Sequence, residues 1–196
     1  MTMRVDILRA PTNLDWRRCK ELAAQTMGLK IKDEPDKKWI EKMIRSEHSP
    51  LRTIMFTIRL VDVPYFVAMH LVRHKIGVEH FVSSQRNDRQ AKYDRSEALQ
   101  SQPVTYTMDV NATELIEMAR ARLCSKAYKD TVWWMQNIKR AVAEVSPEVA
   151  DWMQPRCYFG WCKEADGPCA MCKTYDNPYM YTIKKVNELR GEACNV

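Results

Sequence analysis

An alternating apolar stretch from Leu51 to Val63 constrains the fold of this chain more than any other feature. Every second position in it is strongly apolar, whereas the positions between are mixed. That two-residue period is typical of a strand with one buried face. The dipeptide Val63-Pro64 then turns the chain, and three- and four-residue spacings from Tyr65 to His74 predict a helix. The centre of the chain is therefore predicted to be a strand, a turn and a helix.

The remaining periodicity predicts one more strand and several helices. The second strand is predicted at Val104 to Val110, and residues 75–103 before it are predicted to be a polar loop. So long a loop is uncommon in a compact domain unless it has a task. Helices are predicted at 15–27, from about Pro35 to the Ser49-Pro50 dipeptide, at 65–74 and at 114–128. A following helix is predicted to turn Trp133, Ile138, Val142 and Val145 inward, and two more are predicted at 146–153 and 178–189. Two strands flanked by helices indicate an α+β fold with a small mixed or antiparallel sheet.

Length and charge bound the organisation of the chain. With 196 residues it fits one domain, which we predict as an α+β domain over 1–155 with a cysteine-rich segment, 156–196, packed on it. The net charge of +6 favours an anionic partner, although a solvated basic surface explains it equally well. No long block of Lys and Arg argues for nucleic acid. Without a long apolar run or a signal peptide, we expect a cytoplasmic protein and no membrane partner.

Cationic and hydrogen-bonding residues gather where the central helix is predicted to end. Arg73-His74-Lys75 closes that helix, and cations there complement the helix macrodipole. The macrodipole does not explain the loop that follows, residues 76–89, which is rich in hydrogen-bond donors and includes Ser83, Ser84 and Arg86. Arginine and hydroxyl groups suit phosphate. From the residues alone, an anion site and a solvated basic loop are equally consistent.

The segment 49–86 resembles the signature region of flavin-dependent thymidylate synthases. That family shows a Ser-Pro start, an alternating Phe-Thr-Phe strand, a helix ending in Arg-His-Arg and a loop closing with Ser-x-Arg. This chain has Phe56-Thr57-Ile58, then Arg73-His74-Lys75, then Ser84-Gln85-Arg86. Without an extra loop residue, Ser83 and Gln85 would take the places of the serine and the arginine. We prefer the register with Arg86, because arginine is the better phosphate ligand.

The resemblance implies an enzyme that converts dUMP to dTMP. In the family, NADPH reduces FAD, methylenetetrahydrofolate supplies the carbon, and sites lie between the subunits of a homotetramer. By resemblance, Arg73 and His70 are the catalytic residues, and Arg73 also polarises the pyrimidine. The residues expected to contact the cofactor FAD are Arg73, His74, Lys75 and His80. The residues expected to bind the nucleotide are His70, Ser83, Ser84, Gln85, Arg86 and Arg156.

Departures from the family pattern leave other functions open. The family's Ala-Arg-x-x-Leu-Pro element is matched only by residues 150–155, where Asp151 stands in place of the arginine and Arg156 follows the proline. One alternative is a related flavin enzyme with a different pyrimidine substrate or a hydroxymethylated product. Another is a non-enzymatic, zinc-bearing module that binds nucleic acid or protein.

Four cysteines near the end of the chain have a spacing that suits a metal ion. Cys157, Cys162, Cys169 and Cys172 follow the pattern C-x4-C-x6-C-x2-C. The closely spaced second pair lets one turn present two sulfurs to one ion, so we expect a structural zinc site. Four free or redox-active thiols are the competing interpretation, and an iron–sulfur cluster is the third.

Overall fold

The central strand-turn-helix unit is present as the sequence predicts. The structure is a computed structural model that describes residues 3–86, 88–89, 94, 96–160, 162, 164–165 and 169. Its elements are β1 (Arg4–Arg9), α1 (Asn13–Gln25), α2 (Lys37–Arg45), β2 (Met55–Pro64), α3 (Tyr65–Val72), β3 (Val78–Val82), β4 (Pro103–Asn111), α4 (Ala112–Arg122), α5 (Lys129–Val145) and α6 (Pro147–Ala150), with 3₁₀ turns at Ser49–Thr53 and Arg156–Phe159. The helix predicted at 178–189 lies outside the described residues, as does most of the proposed segment 156–196.

The sheet has four strands in the order β1-β2-β4-β3, and every neighbouring pair is antiparallel. The two central strands align their apolar positions, with Phe56 opposite Val110 and Leu60 opposite Tyr106. All four of these side chains are fully buried. The apolar alternation predicted from the sequence is therefore the buried face of a central strand, and the predicted α+β class is confirmed.

The two strands that the sequence did not predict are the outer ones, β1 and β3. Each pairs on one side only within the described sheet, and neither has a fully buried face. β3 lies inside the stretch predicted to be a loop, and its Glu79 and Phe81 are both exposed. The loop prediction for residues 75–103 was therefore wrong over Val78–Val82.

Helix α5 packs on the sheet with a face that differs in part from the prediction. Trp134, Ile138 and Val142 are buried, at the three- and four-residue spacings of one helical face. Trp133 and Val145 are 41% and 44% exposed, so their predicted inward orientation was wrong. Trp133 instead lies edge-on against Trp134, with 5.1 Å between ring centroids.

No helix among the described residues is long and apolar enough to cross a membrane.

A cluster of charges anchors the end of the described chain on α4. The buried Arg120 pairs with Glu117 and, at 2.6 Å, with Glu47. Glu117 also accepts a 2.6 Å hydrogen bond from Arg156. Burial acts to raise the pKa of Glu117, but the hydrogen bonds and charges of Arg120 and Arg156 outweigh it and lower that pKa below its ordinary value of 4.5.

This cluster predicts acid-sensitive stability. A carboxylate whose pKa falls on folding stabilises the fold above its unfolded pKa, and this contribution is lost as pH falls through the folded value. Glu117→Gln should therefore lower the free energy of unfolding by about 1–2 kcal/mol at pH 7, a figure discounted for its partial exposure. Near pH 3 the difference from wild type should shrink. Urea unfolding at both pH values measures it, with Glu21→Gln, in an exposed pair with Arg17, as the matched control. Equal losses from both variants would contradict the assignment.

Candidate active site at the end of helix α3

The last turn of α3 brings His70 against two other helices. Its Nδ1 is 2.8 Å from the hydroxyl of Thr131 on α5. Its backbone carbonyl accepts a 2.7 Å hydrogen bond from Nη2 of Arg122, the last residue of α4. Arg73 follows as the C-cap of α3 and is exposed. Three helices therefore fix His70, whereas the guanidinium of Arg73 remains open to solvent.

Two positive charges act on His70. The pKa of His70 is lowered by burial first, and then by the charges of Arg122 and Arg73. The pKa of the Arg122 guanidinium is itself lowered, by burial and by Arg73. His70 is thus held neutral at pH 7, and two guanidinium groups repel each other nearby. An anion placed between them would relieve that repulsion, so this charge distribution suits an anionic ligand.

Aromatic rings form one wall of the same site. The Phe66 ring lies edge-on to His70 with 5.9 Å between centroids, and Tyr128 lies 6.3 Å from His70. Phe66 and Tyr128 are 5.2 Å apart and nearly perpendicular, and Tyr128 is about half exposed. Apolar rings next to cations are what a planar, anionic molecule such as a nucleotide requires.

The turn after α3 is tied to the start of α4. Nδ1 of His74 is 2.9 Å from the carboxylate of Glu114, whereas Lys75 is exposed. The backbone nitrogen of Asn111 donates a 2.9 Å hydrogen bond to the carbonyl of Gly77. Both ring nitrogens of the predicted cofactor ligand His80 are engaged within the protein, by Tyr106 and by the carbonyl of His74. Arg73 and Lys75 therefore project from a fixed turn, and His80 supports it from behind.

The predicted nucleotide-binding loop lies at the other end of β3. Ser83 bonds to Thr105 through its backbone nitrogen and its hydroxyl, at 2.9 and 3.0 Å. Ser83, Ser84 and Gln85 line a cavity of about 190 Å³, and Arg86 is exposed and pairs with Asp88. The five residues of β3 separate this loop from the α3 turn, a span of roughly 16 Å at the usual rise per residue. One chain therefore presents the predicted residues as two groups.

The segment that contains most of these residues matches a known protein family. The family model Thy1, described as thymidylate synthase complementing protein, matches residues 10–102. This match confirms the resemblance to flavin-dependent thymidylate synthases. The Thy1 segment contains β2, α3, β3 and the loop, so both groups of predicted residues lie within it, whereas Arg122, Tyr128 and Thr131 do not. No curated protein sequence matches the chain significantly.

Solved structures extend the likeness beyond the Thy1 segment. Thymidylate synthase X from Helicobacter pylori with FAD and dUMP shares 13% identity at a TM-score of 0.61, over 78% of this chain and 99% of that one. A UMP/dUMP methylase from Streptomyces cacaoi bound with 5-Br dUMP shares 15% identity at a TM-score of 0.58, over 77% and 94%. A second Helicobacter pylori complex with FAD and dUMP shares 16% at 0.56, over 71% and 93%. At these identities the likeness establishes the fold.

Arg122 and Tyr128 lie outside the Thy1 segment, and both were missed from the sequence. Arg122 sits in the last turn of α4, where a cation is explained by the macrodipole. Its spacing after Arg120 gave no signal, because side chains two residues apart on a helix do not face each other. Tyr128 was passed over as a helix residue. The contacts of both with the α3 end depend on how α4 and α5 cross α3, which the local sequence does not specify.

Several cysteines line a cavity of about 440 Å³ next to helix α4. Three of the four predicted metal ligands, Cys157, Cys162 and Cys169, are among its lining residues, and so is Cys124. The fourth, Cys172, lies outside the described residues. Among the residues that are described, no three His, Cys, Asp or Glu side chains form a group that could hold a metal ion, and no disulfide joins the cysteines. The zinc site therefore stays a prediction.

The same cavity contains Arg156, predicted from the sequence to bind nucleotide. Its guanidinium is committed to Glu117, so its charge is already balanced within the fold. Arg122 also lines this cavity and contacts His70 as well. Arg122 is therefore the better placed of the two arginines to meet a ligand at the α3 end.

Proposed function

We propose that this protein is a flavin-dependent methyltransferase that converts dUMP to dTMP. The observation that carries the proposal is the convergence of Arg73 and Arg122 on a neutral His70, beside the rings of Phe66 and Tyr128. This arrangement offers cationic and aromatic surface together, as a pyrimidine nucleotide requires. The Thy1 match and the fold of thymidylate synthase X support it.

The residues present fit FAD at the turn after α3. Arg73 and Lys75 are exposed cations on a backbone held by the His74–Glu114 contact, and a diphosphate needs cations at fixed positions. When bound, FAD would carry the electrons that reduce the transferred carbon, with NADPH and methylenetetrahydrofolate as co-substrates. Arg122 and His70 would orient the pyrimidine, because the neutral ring of His70 is fixed by Thr131. Arg73 would stabilise negative charge that develops on the base.

We also infer that complete sites form between subunits, in a cytoplasmic homotetramer. The support is the separation of the two residue groups along β3, since the α3 end and the Ser83–Arg86 loop cannot both contact one small nucleotide within a single chain. In an assembly, the loop of one subunit would complete the α3 end of another. An active monomer in light scattering at micromolar concentration would refute shared sites.

Titration of the purified protein with FAD, and then with dUMP, UMP and dCMP, tests the function. We expect a yellow protein whose flavin spectrum shifts most with dUMP. With methylenetetrahydrofolate and NADPH, the product should be dTMP by mass spectrometry. A hydroxymethylated product or a preference for another pyrimidine would favour the related flavin enzyme. Failure to bind FAD or any nucleotide would overturn the proposal and favour a non-enzymatic binding module.

A prediction for the loop concerns the pair of Arg86 and Asp88. Both side chains are about 60% exposed, at 61% and 59%, and exposed pairs contribute little stability, so a phosphate can replace Asp88. Arg86→Ala should weaken dUMP binding by about 1.5–3 kcal/mol, the range for a hydrogen bond to a charged group. Asp88→Asn should strengthen binding modestly. Isothermal titration measures both, with Gln85→Ala as the comparison. A larger loss in Gln85→Ala would favour the alternative register, in which Ser83 and Gln85 meet the phosphate.

We further propose that Cys157, Cys162, Cys169 and Cys172 hold a structural zinc ion. The support is their spacing and the placement of three of them around one cavity. Four sulfur ligands leave no position for a substrate water, so the ion would only fix the segment. Elemental analysis should find about one zinc per chain, and Cys169→Ser should lose the ion and lower the melting temperature. Metal-free protein whose stability is unchanged by a chelator would contradict this assignment, and Cys19→Ser, a buried cysteine elsewhere, controls for loss of a thiol.

A further inference from the structure

His80 lies between two hydrogen-bonding groups whose chemistry fixes which ring nitrogen carries the proton in the neutral ring. Its Nε2 is 2.6 Å from the carbonyl oxygen of His74, and its Nδ1 is 2.7 Å from the hydroxyl of Tyr106. A carbonyl can only accept, so Nε2 must carry the proton. In a neutral ring Nδ1 is then an acceptor. The Tyr106 hydroxyl donates to it at 2.7 Å in preference to the Met108 sulfur at 3.6 Å, because a thioether is the weaker acceptor. The two rings also stack, 5.8 Å apart with 24° between their planes.

Tyr106 is suited to the donor role because of where it lies. Its side chain is fully buried on the central strand β4, and burial raises the pKa of its phenol well above the ordinary value. The hydroxyl therefore keeps its proton at neutral pH. Because the Tyr106 ring is fully buried, its oxygen has a fixed position beside Nδ1 of His80.

We propose that His80 is a positioning residue that holds the Arg73–Lys75 turn against the sheet, and that the hydrogen bond from Tyr106 holds the His80 ring in place. The hydrogen bond to the His74 carbonyl reaches back from β3 across the loop formed by Lys75 to Gly77. A second tie, from the Asn111 amide to the Gly77 carbonyl, closes the same loop from β4. Together they fix the backbone from which the exposed Arg73 and Lys75 side chains project.

This role differs from the ligand contact expected from the sequence. Both ring nitrogens are engaged within the protein, so His80 acts through the backbone of His74. The consequence for cofactor affinity rests on the proposed function, whereas the holding of the turn does not. Loss of the hydrogen bond should let the turn move, and a preorganised pair of cations would become a mobile one.

The test begins on the protein without FAD. Nitrogen-15 NMR of the histidine rings should show His80 as the neutral Nε2–H tautomer. In His80→Phe, hydrogen exchange at the Asn111 amide should accelerate at least about tenfold, the effect of losing one net hydrogen bond, while amides of β1 and β2 keep their rates. Tyr106→Phe keeps the buried ring but removes the hydrogen bond to Nδ1 that holds the His80 ring. It should therefore also accelerate exchange at the Asn111 amide, which covers the case in which His80→Phe does not fold. An Nδ1–H tautomer in the wild type, or unchanged exchange in the variants, would overturn the proposal.

FAD titration then separates positioning from a general structural role. His80→Phe should weaken FAD binding about tenfold, and His80→Gln, whose amide can donate to the His74 carbonyl, should restore most of it. His48→Phe, the same change at an exposed histidine in a different loop, should behave as wild type. Unchanged FAD affinity in His80→Phe, where wild type binds FAD, would show that the turn does not position the cofactor. If wild type binds no FAD, the proposed function fails, and the tautomer and exchange data alone decide whether His80 holds the turn.

Discussion

Replacing Arg73 with alanine should lower turnover about 100-fold and weaken FAD retention, while the free energy of unfolding stays within about 0.5 kcal/mol of wild type. The loss corresponds to one or two charge-assisted hydrogen bonds, each of about 1.5–3 kcal/mol. The small effect on stability follows because Arg73 is exposed at the C-cap of α3 and surface substitutions are usually nearly neutral. Steady-state kinetics, flavin absorbance after gel filtration and urea unfolding provide the three measurements.

The same variant has a readout that does not depend on activity. Arg73 is one of the charges that lower the pKa of His70, so Arg73→Ala should raise that pKa, as followed by NMR titration of the ring. Arg73→Lys keeps the charge without the planar guanidinium, so it should leave the pKa of His70 nearly unchanged and restore only part of the turnover. Arg140→Ala, at an exposed position of α5, is the matched control. Full activity and FAD retention in Arg73→Ala would exclude Arg73 from the site.

The sequence predicted the centre of this fold because its signal there is local. The two-residue alternation in β2 has a single explanation, because Phe56, Ile58 and Leu60 are all fully buried. The outer strands lack that signal, since β3 owes its extended backbone to hydrogen bonds with β4. Trp133 and Trp134 show the same limit, because adjacent helical positions of equal hydrophobicity differ only in which one the sheet covers.

The candidate site follows the same division between local and long-range information. Arg73, His74 and Lys75 are adjacent in sequence, so a motif could point to them. Arg122 reaches His70 across a sequence separation of 52 residues, through the packing of α4 near α3. The sequence also could not show that Glu117 balances Arg156. Motif resemblance thus identifies residues of one segment, whereas the partners that set their charge and orientation come from the tertiary structure.

Gly77 shows how the turn depends on tertiary packing as well as on local conformation. Its backbone has a φ of +79°, in the left-handed region that disfavours side chains. A Cβ atom at this position would lie 2.2 Å from Nδ2 of Asn111. Asn111 is buried, and its Oδ1 accepts the 2.9 Å hydrogen bond from the Glu114 amide that caps α4. A side chain at Gly77 would therefore displace the helix cap together with the turn.

Gly77→Ala should consequently lower the free energy of unfolding by about 2–4 kcal/mol, combining about 1–2 kcal/mol of backbone strain with about 1 kcal/mol for the lost cap and a further contribution from the contact. Gly28→Ala is the matched control, because Gly28 has a φ of +68° and nothing within 4 Å of the added Cβ. It should cost only the strain, about 1–2 kcal/mol. Urea unfolding of the two variants isolates the contact with Asn111, and FAD affinity should fall in Gly77→Ala alone. Equal destabilisation in both variants would mean that Asn111 moves aside freely and that the turn tolerates a side chain facing α4.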